Sequence, residues 1–131
     1  MHIGYVAALE QFPPADALAW TQHADAAGFS GVMATDHFQP WLPRHAASSH
    51  VWSVLGAMGG ATRGSLGAVT TPTFRTHPAV VAQAAATLGA LYPERPWLGI
   101  GSGEALNEHI TGQYWPEAPE RIARMFEAID I

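Results

Sequence analysis

Short apolar runs alternate along the chain with longer stretches in which apolar residues recur at helical spacing. The apolar runs predict β-strands, and a helical pattern follows each of them before the next run begins. The predicted strands cover residues 2–8, 31–35, 65–71 and 96–101. The predicted helices cover residues 14–28, 51–61, 78–91 and 119–131. The last two have apolar faces formed by Val80, Ala84, Leu88 and Leu91 and by Ile122, Met125, Phe126 and Ile129. We therefore expect a chain built from four successive βα units.

Four βα units in series predict an α/β protein with a parallel sheet, because each helix returns the chain to the same end of the sheet. An open doubly wound sheet and part of a (β/α)8 barrel both satisfy this pattern. The length of 131 residues favours the open sheet, since a complete barrel needs roughly 250. The last helical pattern favours the barrel, because it reaches Ile131 without a glycine or asparagine stop signal and looks cut off.

Polar side chains follow the carboxyl ends of the predicted strands, where parallel α/β proteins place their functional groups. In chain order these residues are Glu10, Gln11, Asp36, His37, Trp41, Thr70, Thr71, Ser102, Glu104, Asn107 and Glu108. The opposite ends of the strands carry less reactive groups, such as Ser30, Ser65 and Pro96. This asymmetry predicts one functional rim.

The strongest candidates on this rim each have a functional and a structural interpretation. His37 is a candidate base, because histidine is the side chain that most often accepts a proton in catalysis, although a loop histidine is often structural. Asp36 orients His37 or binds a ligand, or else caps a helix or turn. Glu104 is a candidate acid, or else a first-turn glutamate favoured by the helix dipole. Trp41 is a candidate wall for a planar ligand, or else ordinary packing.

Composition excludes several classes of protein. A net charge of −5, with six arginines and no lysine, argues against nucleic acids and anionic membranes as partners. The absence of cysteine excludes disulfides and thiolate metal sites and fits a cytoplasmic protein. Neither a secretory signal nor an apolar run of the ~18 residues needed for a membrane span occurs. Zinc-binding H-E-x-x-H, the lysine-containing phosphate loop and G-x-S-x-G are also missing, so we expect no resident metal.

Several strings of the sequence resemble a known family. They are EQFPP (10–14), TDHFQPW (35–41), TPTFRTHPAVVAQAAATL (71–88), LYPERPWLGIGSGEALNEHITG (91–112) and WPEAPERIARMFEAI (115–129). In this order they resemble coenzyme F-420-dependent oxidoreductases of the bacterial luciferase-like superfamily, closest to the F-420-dependent glucose-6-phosphate dehydrogenase family. The resemblance implies a TIM barrel, of which residues 1–131 would form a single partial domain, the N-terminal half. It also implies a small-molecule substrate and a homodimer of the full-length protein.

The same resemblance implies roles for individual residues. His37 would be the base that takes the hydroxyl proton of the substrate, Glu104 the acid near N1 of the deazaflavin, and Trp41 a contact to the substrate. The cofactor-binding residues would be Asp36, Ala68, Val69, Thr71 and Asn107. The Ala68–Val69 bond would be a non-proline cis peptide that backs the ring system. Where the family often has serine, this chain has Ala68.

Hydride transfer between an alcohol or sugar phosphate, such as glucose-6-phosphate, and F-420 is therefore the expected reaction. One alternative is a luciferase-like monooxygenase that uses FMN. A second is a non-catalytic truncated product or a half-barrel that binds a partner, and a remote third is a metal-dependent hydrolase that uses Asp36, His37 and Glu104. In this family, the residues that contact the substrate phosphate and the cofactor phosphate are expected in the second half of the barrel, outside residues 1–131.

Overall fold

The computed structural model describes residues 1–70 and 74–131, and these form a parallel sheet with the strand order β1-β2-β3-β4. The strands are β1 (Gly4–Ala7), β2 (Gly31–Thr35), β3 (Ser65–Thr70) and β4 (Pro96–Ile100). The helices are α1 (Pro14–Ala26), α2 (Val51–Ala61), α3 (Pro78–Leu91), α4 (Ala105–Glu108) and α5 (Ala118–Ile129). The predicted parallel α/β class is confirmed.

Local sequence signals account for most of the element bounds. Proline occupies the first turn of α1, α3 and α5, where its missing N–H costs no helical hydrogen bond. Gly28 follows α1 with a φ of 92°, which suits a residue without a Cβ atom. The α4 helix was not predicted, because its four residues are too few to show helical periodicity.

One face of the sheet packs against the helices and forms the core. The strand register places Val32, Ala34, Leu66 and Ala68 on this face, because alternate residues of a strand point to the same side. All four are buried, and they belong to one apolar cluster with residues of α2 such as Met58. The α1 and α2 helices therefore pack against β1, β2 and β3 and cover this face of the sheet.

The opposite face of the sheet carries apolar side chains that the described residues leave open. Val6, Val69 and Trp97 project from this face, and each is about half exposed. A Cβ atom at Gly67 would lie 2.2 Å from the Trp97 ring, so the indole lies directly over this glycine. The strands at the two sides of the sheet are β1 and β4. The face thus resembles a section of a barrel interior.

The apolar faces of the later helices are less buried than their periodicity predicts. Of the apolar face expected for α3, Leu88 is buried, but Val80 and Leu91 are exposed, and Val81 is buried although it lies outside that face. Ile122, Phe126 and Ile129 lie on α5 at the predicted spacing, yet none is buried. Periodicity identifies an apolar stripe, but burial requires a second surface to cover it.

The expected cis peptide at Ala68–Val69 is wrong for this structure. The described residues contain no cis peptide bond, and both residues lie inside β3. They pair in regular register with β2 on one side and β4 on the other. A cis bond would shorten the distance between successive Cα atoms to about 2.9 Å and break this register.

Among the helices of the described segments, none is both long and apolar enough to cross a membrane.

Candidate functional site

A cleft of about 400 Å³ opens at the carboxyl ends of β2, β3 and β4. It is lined by Met33, Ala34, Thr35, Asp36, His37, Trp41, Val69, Gly103, Glu104, Asn107 and Glu108. The structure therefore brings together six predicted site residues from three separate parts of the chain. The polar rim inferred from the strand ends is one continuous surface.

His37 is held from behind by the loop that follows β1. Its Nδ1 lies 3.4 Å from Oε2 of Glu10. The contact falls outside hydrogen-bond geometry, and the buried Nδ1 has no hydrogen-bond partner among the described residues. The hydroxyl of Thr35 donates to the same Glu10 oxygen at 2.5 Å and accepts from the backbone N–H of Leu9 at 2.9 Å. These contacts anchor the glutamate and leave His37 between Glu10 and the open cleft.

Glu10 is a carboxylate at neutral pH. Burial raises the pKa of Glu10, but the hydrogen bonds from Thr35 and from its own backbone N–H, together with His37, outweigh burial and lower that pKa below its usual value. A negative oxygen beside Nδ1 favours the ring tautomer that carries its hydrogen on Nδ1. The other ring nitrogen, Nε2, is then the one with a lone pair for accepting a proton.

The exposed Trp41 ring lies beside His37. Its ring centroid lies 5.5 Å from that of His37, and the two ring planes meet at 81°. The indole is 55% exposed, so little of it is used for packing within the described residues. An open aromatic surface next to a base is suited to contact with a ligand.

The opposite side of the cleft is built from the turn before α4. Gly103 has a φ of 76°, a conformation that strains residues with a Cβ atom, and it places Glu104 at the N-cap of α4. The Asn107 amide donates to Glu104 Oε1 at 2.6 Å, and Asn107 Oδ1 accepts from the Gln39 backbone N–H at 2.8 Å. Buried Asn107 thus connects the carboxylate of Glu104 with the loop that carries His37.

A buried group of charges lies at the base of the cleft. Arg75 Nη2 donates to Asp36 Oδ1 at 2.9 Å, and Arg75 Nε lies 3.7 Å from Glu108 Oε1. The Arg75 backbone N–H donates to Glu108 Oε2 at 3.1 Å. Thr70 donates its hydroxyl to the second oxygen of Asp36. Both oxygens of Asp36 therefore have protein partners.

Glu108 differs from Glu10 in its electrostatic environment. Its side chain is only 2% exposed. Burial raises the pKa of Glu108, the nearby charge of Asp36 adds to this increase, and Arg75 offsets only part of it, so the pKa lies above the usual value.

The remaining predicted cofactor contacts are distributed unequally. Val69 lines the cleft and is 46% exposed, so it offers an apolar surface. The methyl group of Ala68 is buried in the core on the other face of the sheet, at 1% exposure. Ala68 is thus not among the residues that line the cleft. Thr71 lies outside the described residues.

Sequence reasoning missed how the site is held together. Glu10 and Glu108 were noted on the rim without a role, and Arg75 was not singled out. A signal was present, because Arg75 is one of only six arginines in a chain without lysine and follows a predicted strand end. Within the described residues, no group of three histidines, aspartates or glutamates is arranged to hold a metal ion.

Comparison with known proteins places this site in a family context. The family described as luciferase-like monooxygenase matches residues 1–131. The F-420-dependent glucose-6-phosphate dehydrogenase of Microbacterium testaceum is 50% identical over 135 residues, which cover all of this chain and 40% of that protein. The protein of the same name from Beutenbergia cavernae is 51% identical over 133 residues, which cover 98% of this chain and 39% of that protein. The chain thus spans about two fifths of the length of these relatives.

Solved structures agree with the family match. An F-420-dependent secondary alcohol dehydrogenase in complex with an F-420-acetone adduct superimposes with a TM-score of 0.95 at 40% identity, over 98% of this chain and 40% of that one. The oxygenating constituent of 3,6-diketocamphane monooxygenase from Pseudomonas putida, in complex with FMN, gives a TM-score of 0.66 at 17% identity, over 97% of this chain and 38% of that one. The second likeness concerns the fold alone. The four strands correspond to half of a barrel rather than to an open doubly wound sheet.

Proposed function

The chain belongs to the luciferase-like monooxygenase family, and from this premise we propose that it is the N-terminal part of an F-420-dependent oxidoreductase that oxidises an alcohol. The observation that carries the proposal is the pairing, in one cleft, of His37 backed by Glu10 with Glu104 on the opposite side. The relatives named above, which are F-420-dependent dehydrogenases, support the choice of cofactor.

The cleft fits a planar ring with polar edges. Val69 supplies an exposed apolar surface, and Glu104 and Asn107 supply an acid and an amide at the rim. When bound, the deazaflavin supplies a hydride acceptor. We assign Val69 to the face of the ring, and Glu104 and Asn107 to its polar edge. Asp36, whose two oxygens already have partners, contributes mainly by holding the backbone beside His37.

The chain's own residues manage the protons of the reaction. Oxidation of an alcohol to a carbonyl removes a hydride from carbon and a proton from oxygen. His37 accepts that proton on Nε2, and the carboxylate of Glu10 stabilises the imidazolium that forms. Trp41 covers the substrate side of His37 and limits the access of water. Glu104, held by Asn107, provides the acid on the cofactor side.

The substrate class proposed is an alcohol or a sugar phosphate, with glucose-6-phosphate as a candidate. Carboxylates dominate the described part of the cleft, and the charge of Arg75 already serves Asp36 and Glu108. A substrate phosphate would therefore take its cations from elsewhere in a longer protein.

The identity of the cofactor is tested by titrating the purified chain with coenzyme F-420 and, separately, with FMN. The expected result is saturable binding of F-420, followed by its own fluorescence, with FMN bound more weakly. Tighter binding of FMN would favour the monooxygenase alternative. If neither binds while the chain stays folded, the chain alone has no cofactor site, as expected for a non-catalytic half-barrel.

A further inference from the structure

Arg75 connects the two segments that carry the proposed acid and base. Its guanidinium contacts Asp36, the residue directly before His37. The same side chain and its backbone N–H contact Glu108, the residue directly after Asn107. Asn107 in turn hydrogen-bonds Glu104. The Arg75 side chain therefore lies between the segment that carries His37 and the segment that carries Glu104.

We infer that Arg75 is a positioning residue that holds segment 36–41 against segment 104–108 and so sets the spacing of His37 and Glu104. The consequence for catalysis rests on the proposed function, whereas the spacing of the two segments does not. An error of about 1 Å in such a spacing costs roughly a hundredfold in rate, which makes the alignment functionally significant.

Charge, and not merely volume, explains why an arginine occupies this position. Asp36, Arg75 and Glu108 are all largely buried, with side-chain exposures of 6%, 14% and 2%. The guanidinium hydrogen-bonds Asp36 and lies within ion-pair distance of Glu108, so one cation serves both carboxyl groups. Without this cation, Asp36 and Glu108 would lose their shared counter-ion, and at a pH where both are ionised their repulsion would favour separation of the two segments.

The neighbouring titratable groups are held in other contacts. Glu104 is bonded by Asn107, and His37 faces Glu10 on the far side of β2. The repulsion that remains after loss of the Arg75 charge is thus mainly between Asp36 and Glu108. Neutralising Asp36 or Glu108 should therefore partly restore the spacing of the two segments. A purely steric role for Arg75 does not predict this recovery.

The absence of cysteine allows a direct distance measurement in the chain as it exists. Phe38→Cys and Ile110→Cys, both at exposed positions, place one nitroxide label beside each segment. Dipolar EPR on the doubly labelled chain then reports the width of the distance distribution. The variants compared in this background are Arg75→Met, Arg75→Lys, Arg75→Met with Glu108→Gln, and the surface control Arg63→Met. F-420 affinity and thermal unfolding are measured on the same samples.

We expect Arg75→Met to broaden the distance distribution and to weaken F-420 binding roughly tenfold. For Arg75→Lys, the width of the distance distribution should lie between that of Arg75→Met and that of the unsubstituted chain. The double variant Arg75→Met with Glu108→Gln should recover part of the narrow distribution. Arg63→Met should change neither the distribution nor F-420 binding. If Arg75→Met does not fold, the distance distributions of Arg75→Lys and of the double variant test the positioning role of Arg75.

An unchanged distribution in Arg75→Met overturns the inference. Equal broadening in Arg75→Met and in the double variant also overturns it, because neutralising Glu108 would then have no effect. A chain that binds no F-420 but shows the expected changes in distance contradicts the proposed function while supporting the positioning role.

Discussion

Two buried glutamates on opposite sides of the cleft show how the surroundings of a carboxyl group determine its charge. In the His37 corner, formed by Glu10, Thr35, His37 and Trp41, hydrogen-bond donors outweigh burial and lower the pKa of Glu10. In the Arg75 corner, formed by Asp36, Thr70, Arg75 and Glu108, burial and a second carboxylate outweigh one guanidinium and raise the pKa of Glu108. The two corners thus shift the pKa of a buried glutamate in opposite directions.

This difference suits the two corners to different tasks. A permanent carboxylate next to His37 can stabilise a charged imidazole during proton transfer. In the Arg75 corner both oxygens of Asp36 already accept from Thr70 and Arg75, so we assign a geometric contribution to this corner. The following predictions test this division.

The largest expected effect is that of removing the base. In a longer protein that completes the barrel, His37→Ala should reduce turnover by roughly 10²–10⁴-fold while leaving cofactor binding nearly unchanged, because the ring is assigned to proton transfer. Steady-state kinetics and F-420 fluorescence titration measure the two quantities. Turnover equal to that of the unsubstituted protein would refute the role of His37.

Glu10→Gln should have the next largest effect. It removes the negative charge beside Nδ1 and weakens the hydrogen bond from Thr35, so we expect about 1–3 kcal/mol less stability and roughly tenfold lower turnover. Denaturant unfolding measures the first, and ¹⁵N NMR of the His37 ring reports whether Nδ1 still carries its hydrogen. An unchanged tautomer together with unchanged turnover would contradict the proposed role of Glu10.

The pH dependence of stability should distinguish the two glutamates. The folded pKa of Glu10 is lowered, so its contribution is present above the unfolded value of 4.5 and is lost as pH falls through the folded pKa. The folded pKa of Glu108 is raised, so the unfolded chain releases this proton first and stability falls as pH rises from 4.5 through the folded pKa.

Two matched variants separate these opposite slopes. Denaturant unfolding is measured between about pH 3 and pH 7. Glu10→Gln should remove the loss of stability on the acid side, and Glu108→Gln should remove the loss on the neutral side. If both substitutions flatten the same side of the profile, the assignment of opposite shifts is wrong.

The elements and the rim could be predicted from the sequence because their signals are local. The bounds of α2 and α3, residues 51–61 and 78–91, agree with the predicted ranges. The convergence of His37 and Glu104 followed from the parallel topology. The links of Glu10 to His37 and of Arg75 to Asp36 and Glu108 depend on side-chain geometry across separate loops, and no periodicity encodes such contacts.

The burial of α5 could not be predicted either, and it leads to the smallest expected effect. Phe126 and Ile129 occupy the predicted apolar stripe but remain about half exposed. Phe126→Ser should therefore change the unfolding free energy of the chain by no more than about 0.5 kcal/mol, which sets it apart from both corners of the cleft. It should instead reduce self-association, since exposed apolar faces and open strand edges promote contact between chains. Light scattering across a concentration series measures this, with the exposed polar substitution Glu127→Gln as control. A loss of several kcal/mol in Phe126→Ser would mean that α5 is packed more tightly than its exposure indicates.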